Sequence, residues 1–278
     1  MLIARSKQEI SNFISTSKSQ GKVAFVPTMG ALHKGHLSLV ELAKKHADIV
    51  VASIFVNPTQ FGPNEDFTKY PRDEERDIKM LKSAGCNAAF LPNVEEIYPS
   101  ETSITIQVKE KADILCGKFR PGHFDGVALV VSKLFNIIKP DVAVFGEKDF
   151  QQLYIIKNVT RDLNFSVDIV GAPIMREADG LAMSSRNLYL TDRERKIAAH
   201  LNLGLKQAAQ NIFLGESVEK TLNDTKKYLL DSGFDKIDYI EARSEASLEP
   251  MEKKLNQAAR IFAAAYVGKT RLIDNWNI

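Results

Sequence analysis

Short apolar runs and amphipathic stretches alternate through the first two-thirds of the chain. Residues 23–26 form an apolar run, and behind it Leu37, Leu39, Val40, Leu42 and Ala43 fall on one face of a helix expected to reach about His46. Residues 49–56 are almost wholly apolar and rich in β-branched side chains, as parallel strands buried on both faces are. A charged amphipathic helix is expected over 71–84, with Gly85 as its stop. A short strand over 88–91 follows, then a buried helix over 126–138 ended by Pro140, with Asp125 as a candidate cap. A strand over 141–145, a helix over about 150–163 and a strand over 167–170 complete the series. Such alternation predicts an α/β fold: a parallel sheet with helices on both faces and right-handed crossovers.

The pattern then changes. A helix is expected over 191–213, with Thr191 as N-cap and Glu194 completing a capping box. A second helix over 218–230 precedes apolar runs over 237–242, 260–267 and 272–274 that read as strands. Two helices followed by strands make a smaller C-terminal α+β domain, so the division expected is 1–178 and 179–278.

Composition narrows the partners. The chain has 278 residues, with a hydrophobic share of 44% and a charged share of 26%, as globular domains do. Its net charge of +2 gives no bulk attraction to nucleic acid or an anionic membrane, so an anionic substrate must be met by local charge. Cys86 and Cys116 have neither metal-ligand spacing nor the look of a disulfide framework. No apolar run reaches the roughly 18 residues of a membrane span, and the N-terminus lacks a signal-peptide core. A cytoplasmic protein is expected.

The densest chemistry lies at Pro27-Thr28-Met29-Gly30-Ala31-Leu32-His33-Lys34-Gly35-His36, where a strand hands over to a helix. Open, Rossmann-like sheets bind ligands at such junctions. The helix start offers N–H groups and a positive dipole end to phosphate. Gly35 allows close approach, and two imidazoles can donate to phosphoryl oxygens as charge develops. The plain alternative is a pair of polar loop histidines beside a strand.

Four other segments carry candidate groups. Asn57 and Gln60 follow the apolar run 49–56; neutral amides suit a hydroxyl or carboxylate, although an Asn-Pro turn also explains Asn57. Arg120-Pro121-Gly122-His123-Phe124-Asp125-Gly126 precedes an apolar helix, and Arg120 can serve an anionic substrate. Gly146-Glu147-Lys148-Asp149 follows the strand over 141–145. There Lys148 is a point charge for phosphate, Asp149 a ribose ligand or a cap, and Gln152 shares a helical face with Asp149. Met183-Ser184-Ser185-Arg186 offers two hydroxyls and a forked cation to a triphosphate; a polar linker is the alternative.

Together these segments resemble the pantoate–β-alanine ligases, among the nucleotidyltransferases marked by His-x-Gly-His. The resemblance covers most of residues 20–190 and also takes in Tyr70-Pro71-Arg72, Lys133–Gln152 and residues 176–190. It departs at Leu129, where the family's helix usually carries threonine. The resemblance implies a two-step ligation. ATP and (R)-pantoate give a pantoyl adenylate and pyrophosphate, then β-alanine displaces AMP. It assigns catalysis to His33, His36, Lys148 and Arg186, with His36 as proton donor. The nucleotide would meet Met29, Gly30, Ala31, Leu32, His33, Lys34, Gly35, His36, Gly146, Glu147, Lys148, Asp149, Met175, Met183, Ser184, Ser185 and Arg186. Pantoate would meet Gln60 and Gln152, with Asn57 and Arg120 as further substrate residues; Gln60 would also face β-alanine. Mg²⁺ is expected to accompany ATP on ligands the sequence does not name. A homodimer and a C-terminal domain closing over ATP are implied too. Two other classes stay open: an adenylyltransferase acting on a phosphorylated acceptor, and a nucleotide-sensing module without turnover.

Overall fold

The computed structural model describes residues 1–63, 65–100, 103–252 and 257–278. They divide into two compact units, 1–147 with 152–173, and 148–151 with 174–278. The break expected after residue 178 therefore falls at residue 173, and a four-residue stretch after Glu147 groups with the second unit.

Among the described residues of the first unit, six strands form one sheet. They are β1 (Leu2–Ala4), β2 (Val23–Thr28), β3 (Ile49–Ile54), β4 (Ala88–Phe90), β5 (Val142–Gly146) and β6 (Asp168–Ala172). Their order is β1-β4-β3-β2-β5-β6, and every pairing is parallel. From β2 the chain steps outward through β3 to β4, whereas β5 lies on the other side of β2. The order thus reverses between β2 and β5, the place where open α/β sheets bind ligands at the carboxyl ends of their strands.

Successive residues of each strand point to opposite faces, and both faces are covered. On one, Ala24, Val26, Val50, Ala52 and Val144 pack with Val40 and Ala43 of α2 (Lys34–Ala43) and Leu81 of α3 (Glu74–Ser83). On the other, Phe25 meets Phe135 of α6 (His123–Ile138) edge-on, their ring centroids 6.5 Å apart. α6 also packs on α1 (Lys7–Ser17), and with Ile155 and Val159 of α7 (Phe150–Asp162). Two short helices, α4 (Val94–Ile97) and α5 (Leu115–Phe119), sit in the connections.

Two element boundaries shift from expectation. α3 begins at Glu74, because Asp73 caps it by accepting the Arg76 N–H. It is stopped by Gly85, whose φ of +84° and bonded N–H make the break that the sequence indicated. α6 starts three residues early, behind Gly122 at φ +77°. Asp125 is therefore in its first turn and does not cap it; the carboxylate accepts the Val108 N–H at 2.8 Å.

The second unit packs α8 (Asp192–Phe213) and α9 (Val218–Asp231) on an antiparallel sheet of β7 (Lys236–Ser244), β8 (Ala259–Val267) and β9 (Thr270–Asn277). The Thr191–Glu194 capping box is present as expected. Alanines at 263, 264 and 265 keep the centre of β8 thin and fully buried, and α8 packs on this strand.

Candidate active site

The turn after β2 is held open by the backbone itself. Gly30 (φ +81°) and Ala31 (φ +49°) adopt left-handed conformations. Thr28 Oγ1 donates to the Ser53 carbonyl at 2.6 Å and accepts the Gly30 N–H at 3.2 Å. Asp77, buried on α3, accepts the Leu32 N–H at 2.8 Å. Burial pushes the Asp77 carboxyl up, while the Leu32 and Ala31 N–H groups pull it back. A Cβ on Gly30 would lie 3.0 Å from Asp77 Oδ2, so the turn seats on this carboxylate.

His33 and His36 then close the start of α2. His33 is its N-cap, and its Nδ1 accepts the Gly35 N–H at 3.2 Å. The Nδ1 of His36 accepts the His33 N–H at 3.3 Å. This is a capping box built from two imidazoles. A neutral imidazole that accepts through Nδ1 carries its proton on Nε2. Both rings therefore carry their proton on Nε2.

Asn57 caps and Gln60 ends a single 3-10 turn, Pro58–Gln60, beyond the carboxyl end of β3. Asn57 is 1% exposed, and its amide is spent on the protein. Oδ1 accepts from Thr59 Oγ1 (3.0 Å) and Tyr98 Oη (2.9 Å), and Nδ2 donates to Gln60 Oε1 (3.1 Å) and the Gly126 carbonyl (3.2 Å). Both amide hydrogens of Asn57 are thereby bonded within the chain. Gln60 Nε2 points at Met29 Sδ, 3.0 Å away, and retains one more hydrogen to donate.

Arg120 is likewise engaged within the chain. Its Nε and Nη2 each donate to Glu65 at 2.6 Å, and Nη1 lies 3.0 Å from His123 Nε2. Burial alone would raise the Glu65 carboxyl, but the hydrogen bonds and charge of Arg120 hold it below the ordinary carboxylate range. Arg120 and Glu65 thus form a largely buried ion pair. Glu147, at the end of β5, turns its carboxylate over Gly171 of β6. Gln152 is half-buried in the first turn of α7.

The second unit carries the remaining candidates. Lys148 and Asp149 form a loose ion pair at 3.8 Å. The Lys148 carbonyl accepts from Asn275 Nδ2 at 3.0 Å, and Asn275 is held in turn by Arg260, which also bonds Glu245 at 3.0 Å. Met175 and Met183 face each other across a hairpin, with the Met183 N–H on the Met175 carbonyl at 2.9 Å. Asp179-Gly180 is its turn, as expected, with Gly180 at φ +90°. Ser184 Oγ accepts the Arg186 N–H at 3.3 Å and opens the turn Ser185–Tyr189; Ser185 is buried. Among the described residues, no cluster of three or more His, Cys, Asp or Glu side chains could hold a metal.

Asp77, Tyr98, Arg260 and Asn275 escaped sequence reasoning. Each acts through a partner far along the chain, and none sits in a motif.

The family model described as pantoate-beta-alanine ligase matches residues 2–277. The chain belongs to the pantoate–β-alanine ligase family. Its reaction is the ligation of pantoate to β-alanine. A pantothenate synthetase of Sphingopyxis alaskensis is 52% identical over 276 residues, covering 99% of both chains. One of Thermoanaerobacter sp. is 50% identical over 277 residues, 99% of this chain and 98% of its own. The crystal structure of pantothenate synthetase from Thermus thermophilus superposes with a TM-score of 0.94 at 42% identity, covering 99% of each chain. A pantoate–β-alanine ligase of Francisella tularensis, complexed with β,γ-ATP and β-alanine, gives a TM-score of 0.83 at 40% identity over 99% and 97% of the two chains.

Proposed function

We propose that this ligase works in two steps at the expense of ATP. The pantoate carboxylate attacks the α-phosphorus, and pyrophosphate leaves. The β-alanine amine then attacks the acyl carbon, releasing pantothenate and AMP. The nucleophiles come from the substrates, so no covalent Ser or Cys is needed. Catalysis rests on positioning and on stabilising charge at the α-phosphate.

The observation that carries this reading is the imidazole pair at the start of α2, where two Nε2–H donors stand at the reversal of sheet order. His36 and His33 donate to the α-phosphate as negative charge builds. The nucleotide is bound along Met29–His36 and at Gly146 and Glu147. Lys148, Ser184, Ser185 and Arg186 supply charge and hydroxyls for the phosphates, Asp149 a ribose contact, and Met175 and Met183 a hairpin edge. Gln60 and Gln152 hold pantoate, with Gln60 also facing β-alanine. Mg²⁺ enters as MgATP, neutralising phosphate oxygens.

The enzyme works as a homodimer in the cytoplasm. The alternating segment 103–109 supports the dimer: Ile104 is 75% exposed there, and the segment joins no strand. Sedimentation analysis tests the dimer. No described helix is long and apolar enough to cross a membrane, and both cysteines are thiols, as a reducing compartment requires.

Pyrophosphate release tests the reaction order. With ATP and pantoate alone, one equivalent per site is expected in a burst, and steady release only when β-alanine is added. Steady release without β-alanine would refute a held adenylate. Release requiring a phosphorylated acceptor would favour a cofactor adenylyltransferase, and no release at all a nucleotide sensor.

A further inference from the structure

The Arg120–Gly126 motif is built against the turn that carries Gln60. His123 Nδ1 lies 2.8 Å from the Gln60 carbonyl oxygen, and Arg120 Nη2 reaches the same oxygen at 3.4 Å. A carbonyl only accepts, so His123 donates through Nδ1–H. A guanidinium only donates, so His123 Nε2 accepts from Arg120 at 3.0 Å. The imidazole is thus neutral and its tautomer is fixed from both sides. Glu65 fixes the far end of Arg120 with two 2.6 Å bonds.

The backbones touch as well. A Cβ on Gly126 would fall 2.1 Å from the Thr59 carbonyl oxygen, so only glycine lets α6 approach this close. The Gly126 carbonyl also receives Asn57 Nδ2 at 3.2 Å. Gln60 is consequently held by its main chain from one side and by Asn57 and Met29 at its amide from the other.

We propose that Arg120 and His123 are positioning residues that fix the Gln60 carbonyl, and through it aim the Gln60 amide at pantoate. This rests on the reading of Gln60 as a pantoate residue. Loss of the His123 bond lets the turn rotate about Pro58–Gln60, so the cost falls on pantoate and spares ATP.

The test uses steady-state kinetics of the full enzyme with each substrate varied. His123→Ala is expected to raise KM for pantoate about ten-fold, the scale of one lost hydrogen bond, with KM for ATP within two-fold. An asparagine amide nitrogen overlies imidazole Nδ1, and a glutamine one overlies Nε2. His123→Asn is therefore expected to recover most of the loss, and His123→Gln little of it. Gln60→Ala is run beside them, and the double variant is expected to match Gln60→Ala for pantoate. A raised KM in Gln60→Ala with none in His123→Ala overturns the positioning role alone. Unchanged pantoate KM in Gln60→Ala overturns the reading of Gln60, and the positioning role with it. If His123→Ala does not fold, Arg120→Lys takes its place, with the same selective rise expected. An equal rise in both KM values would mark a merely structural role and refute the proposal.

Discussion

The imidazole rings of His33 and His36 lie 4.1 Å apart, and each accepts a backbone N–H of the α2 start through Nδ1. The pair therefore caps the helix and keeps the protons of both rings on Nε2. Removing His36 strips one donor and half of the cap. His36→Ala is expected to slow single-turnover adenylate formation by about 10²–10³, the typical cost of one transition-state donor, while ATP affinity falls far less. His36→Gln, whose amide overlies Nε2, is expected to retain more activity than His36→Asn. Near-normal adenylate formation by His36→Ala would remove the residue from the chemistry.

Gly30 is expected to tolerate no side chain. Its φ is +81°, and a Cβ would meet Asp77 Oδ2 at 3.0 Å and Ile54 Cγ2 at 3.1 Å. Gly30→Ala should lower stability by about 1–2 kcal/mol, the cost of a left-handed conformation for a residue with a Cβ, read as a lower midpoint in urea. An unchanged midpoint would show that the turn relaxes.

The Glu65–Arg120 pair gives the acid side of the stability profile a defined sign. Glu65 titrates lower in the folded chain than in the unfolded one. Its contribution is complete above the unfolded carboxylate pKa and disappears as pH falls through that range toward its folded value. Between about pH 7 and about pH 4, the melting temperature of the wild type should fall more than that of Glu65→Gln. Parallel melting curves for the two would assign the acid loss to other carboxylates.

The hairpin and turn over 176–190 should respond to nucleotide. Within the second unit, Arg176 binds the buried Asp274 at 2.7 Å, whereas Leu188 is 69% exposed. The acyl adenylate is an anhydride that water destroys, so the domain carrying Ser184–Arg186 is expected to close during the first step. Amide exchange over 176–190 should slow with ATP and Mg²⁺. Equal protection with and without nucleotide would exclude this closure.

Features set by neighbours in sequence were readable without coordinates. Strand and helix periods, the Thr191–Glu194 box, the Gly85 stop and the Asp179-Gly180 turn depend on bonds a few residues long. The His-x-Gly-His junction belongs with them, since both capping bonds span at most three residues. Tertiary structure alone decided what the polar side chains with distant partners do. Arg120 meets Glu65, 55 residues away, and the Asn275 amide donates to the Lys148 carbonyl, 127 residues away. Asp125 looked like a cap, but Gly122 took that place and freed the carboxylate for Val108. β1 pairs with β4 across more than eighty residues, so its three-residue run had no local signal. Periodicity reports which face of an element is buried. It does not report which polar groups burial brings together, because those partners are chosen by the packing of whole elements.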